Sequence, residues 1–160
     1  MFNNGSGRLD GDWSSVVEIA PPVNRQGQYE LVAGEAWGPE QPAWSYQAED
    51  RHSFHAPFVS GAHRLENGNT FICSGPQGRF FEVTPHGEIV WEYRTPYHGD
   101  VPGWSPPGAE QTPYGVFWAT KLPPDHPALE GRRLQPLEPQ PPVYELPPEP
   151  PSGPPDADAP

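Results

Sequence analysis

The chain has 160 residues, enough for about one domain, with 26 prolines, 17 glycines and only 34% hydrophobic residues. Its formal net charge of −12 disfavours nucleic acid as a partner, because a polyanion is repelled by such a field. A lone cysteine, Cys73, rules out an internal disulfide, and no window reaches the roughly 18 apolar residues of a membrane span.

Residues 1–12 lack the basic and apolar regions of a signal peptide and are expected to form a flexible loop. Asp10 and Asp12 flank Gly11 without the acidic ladder of a calcium loop, so they read as a polar turn. The first extended segment is Ser14-Ser15-Val16-Val17-Glu18-Ile19, and after a long connection Pro42-Ala43-Trp44-Ser45-Tyr46 forms the second. The high aromatic content, six Trp, seven Phe and six Tyr, suits half-buried strands better than helices.

Between residues 60 and 95 four segments alternate with turn residues and predict an antiparallel meander. Ala62 to Glu66 leads through Asn67-Gly68, a pair suited to positive φ in a tight hairpin, into Thr70 to Ser74. Gly75-Pro76-Gln77-Gly78 turns the chain into Arg79 to Thr84, and Pro85-His86-Gly87 into Glu88 to Arg94. In the last segment Ile89, Trp91 and Tyr93 are expected on one face and Val90 and Glu92 on the other.

Four antiparallel strands in about 35 residues match one propeller blade, and the upstream segments repeat its second half. Glu18 aligns with Glu82, Ile19 with Val83, Trp44 with Trp91 and Tyr46 with Tyr93. Ala119 to Leu122 repeats Ala62 to Leu65 and predicts the first strand of a further blade. The expected fold is therefore all-β: a β-propeller fragment of four-stranded antiparallel blades over 13–122, joined to a Pro-rich tail over 123–160. A propeller takes at least four blades, so the chain is expected to be the C-terminal piece of a longer protein, partnered by the parent's missing blades. The loop from Gly99 to Gln111 reads as a connection pinned by Trp104. Fourteen of the 26 prolines lie from Pro123 onward, and such a segment should be extended and disordered.

The run Ser60-Gly61-Ala62-His63-Arg64-Leu65-Glu66-Asn67-Gly68-Asn69-Thr70, continued by Gly78 to Thr84 and Gly87 to Tyr93, resembles a blade of bacterial arylsulfotransferase-like propeller proteins. Related patterns occur in PQQ-type propellers. The resemblance covers most of residues 13–134 and implies sulfuryl transfer from an aryl sulfate to a phenol, through a histidine nucleophile assisted by other histidines and an arginine. It also implies export to the periplasm or beyond. The chain departs from the family's site pattern in two places: Phe58 stands where a histidine is expected, and Gly75-Pro76 where an arginine and a histidine are.

His63 and Arg64 are the candidate catalytic pair, since an imidazole beside a guanidinium could hold a sulfate or act as nucleophile. The plainer alternative makes them the polar cap of a strand. His52 and His55, preceded by Arg51, suggest a small anion or metal site, against which an extended backbone sends residues three apart to opposite faces. His86 reads as a solvent-facing turn residue, His98 and His126 as loop residues, and Cys73 as a small apolar strand residue. No cofactor is expected, because the chain has no phosphate loop, dinucleotide fingerprint or nucleophile elbow. The competing function is a non-catalytic propeller that binds a partner or serves as a scaffold.

Overall fold

The computed structural model describes residues 1–29, 33–97 and 114–139. Among them the chain is all-β, with two antiparallel sheets and helix limited to three-residue 3-10 turns. No helix among the described residues is long and apolar enough to cross a membrane.

The meander expected between residues 60 and 95 forms as one four-stranded sheet. Its strands are β4 (Gly61–Arg64), β5 (Thr70–Ser74), β6 (Arg79–Val83) and β7 (Ile89–Arg94), paired in sequence order. The turns differ in detail from the two-residue hairpin that Asn67-Gly68 suggests. Gly68 N–H donates to Leu65 C=O at 3.0 Å and only Gly68 takes a positive φ, +85°. This is an i→i+3 turn closed by one left-handed residue, and Asn67 reinforces it by accepting from Asn69 N–H at 3.0 Å. The β6–β7 turn repeats the geometry, with Gly87 N–H on Thr84 C=O at 3.0 Å and Gly87 at φ +87°.

One irregularity modifies the expected face of β7. Trp91 pairs with Glu82 but Ile89 pairs with Val83, with a register shift between them. Glu82 and Val83 point to opposite faces, so the alternation expected from Ile89 to Tyr93 breaks at its first step.

The upstream segments pair as expected of neighbours: β2 (Ser15–Glu18) lies antiparallel to β3 (Trp44–Tyr46), with Val16 opposite Tyr46 and Glu18 opposite Trp44. A third strand joins them. Within the stretch read as an N-terminal loop, β1 (Phe2–Asn3) pairs with β2, Phe2 opposite Val16. Further tethers follow, with Asn4 Nδ2 donating to Ala56 C=O at 2.6 Å and buried Ser14 Oγ donating to Asn4 C=O at 2.9 Å. Two residues are too short a run to carry a period-2 pattern, so this strand exists because β2 offers it an edge.

The two sheets enclose one core. Val16 and Tyr46 meet Ile72, Phe81 and Val83 around Phe54, which arrives from the connection after β3. Phe54 and Phe81 are fully buried and their rings meet edge to face at 5.5 Å, with Tyr46 5.9 Å from each.

The opposite face of the four-stranded sheet carries a second cluster, Phe71, Cys73 and Phe80, covered by Val116 and Ala119. Here the structure corrects the reading of Ala119 to Leu122 as a strand. Residues 114–122 form no ladder; they run across the face as an extended strap, fitted where glycines leave room. A Cβ on Gly61 would lie 2.3 Å from the Trp118 ring, one on Gly75 2.0 Å from Val116 O, and one on Gly78 2.6 Å from Tyr114. Close packing into glycine gaps, by the Tyr114 and Trp118 rings and the Val116 backbone, holds the strap in place of ladder pairing. Residues 123–139 are mostly exposed, with a 3-10 turn at Pro127–Leu129. The expectations for Trp104, for the rest of its loop as far as Gln111, and for the tail from residue 140 onward lie outside the described residues.

Candidate functional site

Strand pairing sets one row of side chains across the strap-facing side of the sheet. His63 of β4 pairs with Phe71 of β5, Phe71 with Glu82 of β6, and Glu82 with Trp91 of β7. Directly opposed residues share a face, so an imidazole, two aromatic rings and a carboxylate stand in line beneath the strap.

At one end of the row, the His63 ring lies between Phe71, 5.2 Å away, and Trp118 of the strap, 5.8 Å away and inclined by 30°. Both imidazole nitrogens are shielded from solvent, and neither has a hydrogen-bond partner among the described residues. Burial holds its pKa below the ordinary 6.5. The ring is therefore neutral at pH 7 and serves as an aromatic contact.

Arg64 follows His63 on the same strand, and alternation carries it to the other face. Its guanidinium lies 4.7 Å from the centre of the Trp44 ring, donates from Nη1 to Gly68 C=O at 3.0 Å and pairs through Nη2 with Glu18. It borders a cavity of about 230 Å³ whose lining includes Glu18, Trp44, Thr70 and also His63. The side chains of His63 and Arg64 thus leave the strand on opposite faces, although both residues border that cavity. Adjacency in sequence suggested a joint anion site, but adjacency along a strand separates side chains.

Glu82 is the residue that sequence reasoning passed over as a site residue. It is buried, and its Oε1 accepts from Asn67 Nδ2 at 3.0 Å and Asn69 Nδ2 at 2.7 Å, while Oε2 pairs with Lys121 of the strap. Burial pushes the carboxyl pKa up, but the hydrogen bonds from Lys121, Asn69 and Asn67, with the charge of Lys121, outweigh it and hold the group at about 2. Lys121 Nζ also lies 4.4 Å from the centre of the Trp91 ring. The available signals were the two asparagines of one hairpin turn and a single lysine in the whole chain; neither gives a distance between them.

The other candidates are dispersed. His55 Nε2 lies 3.3 Å from Ser6 Oγ, whereas His52 sits in the 3-10 turn Arg51–Ser53, its ring close to Gly11. Among the described residues no three His, Cys, Asp or Glu side chains are grouped to hold a metal ion. Asp12 Oδ1 accepts from Gly7 N–H at 2.6 Å, and Asp10 Oδ1 accepts from the Trp13 indole at 3.2 Å. The Trp13 ring is flanked by the guanidiniums of Arg8, at 3.8 Å, and Arg51, at 4.8 Å. His86 occupies the β6–β7 turn and is exposed. His126 caps the 3-10 turn at Pro127–Leu129, accepting at Nδ1 from Ala128 N–H at 3.1 Å. His98 lies outside the described residues. Cys73 is buried with its Sγ 4.0 Å from Val116 O, and burial pushes its thiol up to about 11, so it stays protonated at neutral pH.

The outer part of the strap-facing surface is apolar yet only partly covered. Trp91 is 38% exposed, Tyr93 45% and Trp118 55%. The Trp91 and Tyr93 rings lie 6.3 Å apart and nearly parallel, with Phe80 6.0 Å from Tyr93. The chain matches no known protein family, no curated protein and no solved structure.

Proposed function

We propose that the chain is a non-catalytic binding or scaffold module of β-propeller type, whose two sheets are neighbouring blades and whose partner-binding surface is the aromatic face of β7. The divergence of His63 and Arg64 carries this reading. A sulfuryl-transfer site needs a nucleophile and a cationic clamp on one reacting centre. Here the imidazole is enclosed by Phe71 and Trp118, and the guanidinium is occupied by Glu18 and Trp44. Two further features support the blade reading: sequential antiparallel pairing of β4 to β7, and face-to-face stacking on the β1–β3 sheet through Tyr46, Phe54 and Phe81. Exposed aromatic rings on the edge strand β7 suit a protein partner, because aromatic anchors dominate binding energy at protein interfaces.

The resemblance to arylsulfotransferase-like propellers gives the rival. Incubating the chain with a chromogenic aryl sulfate and a phenol acceptor distinguishes the two. The expected result is no release of the chromophore above the protein-free rate. Sustained turnover that disappears in His63→Ala would overturn the binding-module reading and restore His63 as a nucleophile.

A further inference from the structure

We propose that residues 114–122 are an acid-released strap: protonation of His63 loosens their hold on the sheet and uncovers the thiol of Cys73. The inference is independent of the propeller reading and rests on how the strap is seated.

Three contacts dock the strap into glycine gaps, Tyr114 at Gly78, Val116 at Gly75 and Trp118 at Gly61. Trp118 also covers His63, and Val116 lies over Cys73. A neutral imidazole tolerates this seat, since it carries one N–H. An imidazolium would carry two N–H donors and a positive charge in a place where neither donor finds an acceptor among the described residues. Contact of the cation with the Trp118 and Phe71 rings offsets part of that cost, but the rings replace no hydrogen bond.

The surrounding charges do not rescue the proton. On β4 itself the neighbouring charge is Arg64, directed to the opposite face; of the charges bordering the cavity that His63 also lines, Glu18 is paired with Arg64 and the Met1 ammonium donates to Val17 C=O. β5 supplies Phe71 against the ring, and its titratable side chain is the protonated Cys73. β6 supplies Glu82, one strand beyond Phe71 and already neutralised by Lys121, the one charged side chain of the strap. β7 supplies Trp91. An imidazolium therefore meets a balanced ion pair rather than a free carboxylate, and the seated strap holds His63 below its ordinary pKa.

The linkage has a definite sign. A solvated imidazole ordinarily titrates near 6.5, and burial under the seated strap lowers that of His63. Above 6.5 both forms are neutral and pH has no effect. Below it the released form takes up the proton first, so release is favoured by up to about tenfold per pH unit until the seated value is reached. The pair of Glu82 and Lys121 fails only as pH falls from 4.5 toward about 2, which separates the two windows.

Cys73, the sole cysteine, is the reporter. Its labelling rate with dithiodipyridine is measured from about pH 7.5 to about pH 5, each value divided by that of a cysteine tripeptide at the same pH, with far-UV circular dichroism confirming the fold. The expected result is a normalised rate that rises below about pH 6.5 by up to about tenfold per unit, and a flat profile in His63→Phe, which keeps an aromatic ring and removes the proton. A flat wild-type profile, or an equal rise in His63→Phe, would overturn the proposal. If His63→Phe does not fold, NMR of the wild-type chain decides: the His63 ring and the Trp118 indole N–H should shift with one midpoint below 6.5. A Trp118 resonance that ignores the His63 titration would refute it.

Discussion

Replacing Glu82 by Gln tests whether the buried carboxylate holds the strap to the sheet. The substitution keeps shape and one acceptor oxygen but removes the charge that Lys121, Asn67 and Asn69 are arranged around. Glu82 lies at about 2 against an ordinary 4.5, a gap corresponding to about 3 kcal/mol at about 1.4 kcal/mol per pH unit. Lys121 is 33% exposed and regains water once unpaired, so the net loss at neutral pH is expected to be about 2 kcal/mol. Urea denaturation followed by tryptophan fluorescence measures it. Because the folded pKa is depressed, the wild-type advantage should be full above 4.5 and vanish as pH falls toward about 2. Glu92, also held below its usual range, chiefly by Arg79, is present in both proteins, so the difference between them isolates Glu82. A loss under about 0.5 kcal/mol, or a difference that does not shrink in acid, would refute the reasoning.

Phe81→Ala should cost about 3–5 kcal/mol in the same denaturation assay, because the fully buried ring joins the two sheets through Tyr46 and Phe54; a loss under about 1 kcal/mol would mean that the sheets do not share a core. Gly75→Ala should lift the strap more than Gly61→Ala. The new Cβ would meet backbone at Val116 O in the first case and the Trp118 ring, which can swing aside, in the second. Faster Cys73 labelling at neutral pH, greater for Gly75→Ala, is the expected readout, and equal protection in both variants and wild type would contradict the close packing.

Local physics made the meander legible. Gly68 and Gly87 close turns because each supplies the positive φ that its turn requires, and such requirements are visible one residue at a time. The length of those turns was less legible, since whether Asn67 joins Gly68 at positive φ depends on the register of β4 against β5. The candidate site was legible only as a list of residue types. His63 and Arg64 stand out in the sequence because they are adjacent, yet what each meets depends on what packs on its face: Trp118 and Phe71 on one side, Trp44 and Glu18 on the other. Glu82 carries no mark in any short window, because its partners lie 13, 15 and 39 residues away.

By itself, then, the amino-acid order determined the all-β character, the four-strand meander and the pairing of the Val16 segment with the Trp44 segment. Alternation and turn geometry act over a few residues, so they can be read without knowing what lies opposite. Tertiary structure alone decided that Phe2 adds a strand to β2, that residues 114–122 pack as a strap instead of pairing, and that Glu82 is buried against Lys121. Each depends on which edge or gap is left open after the sheets assemble. That is a property of surfaces brought together from distant parts of the chain, and no short window contains it.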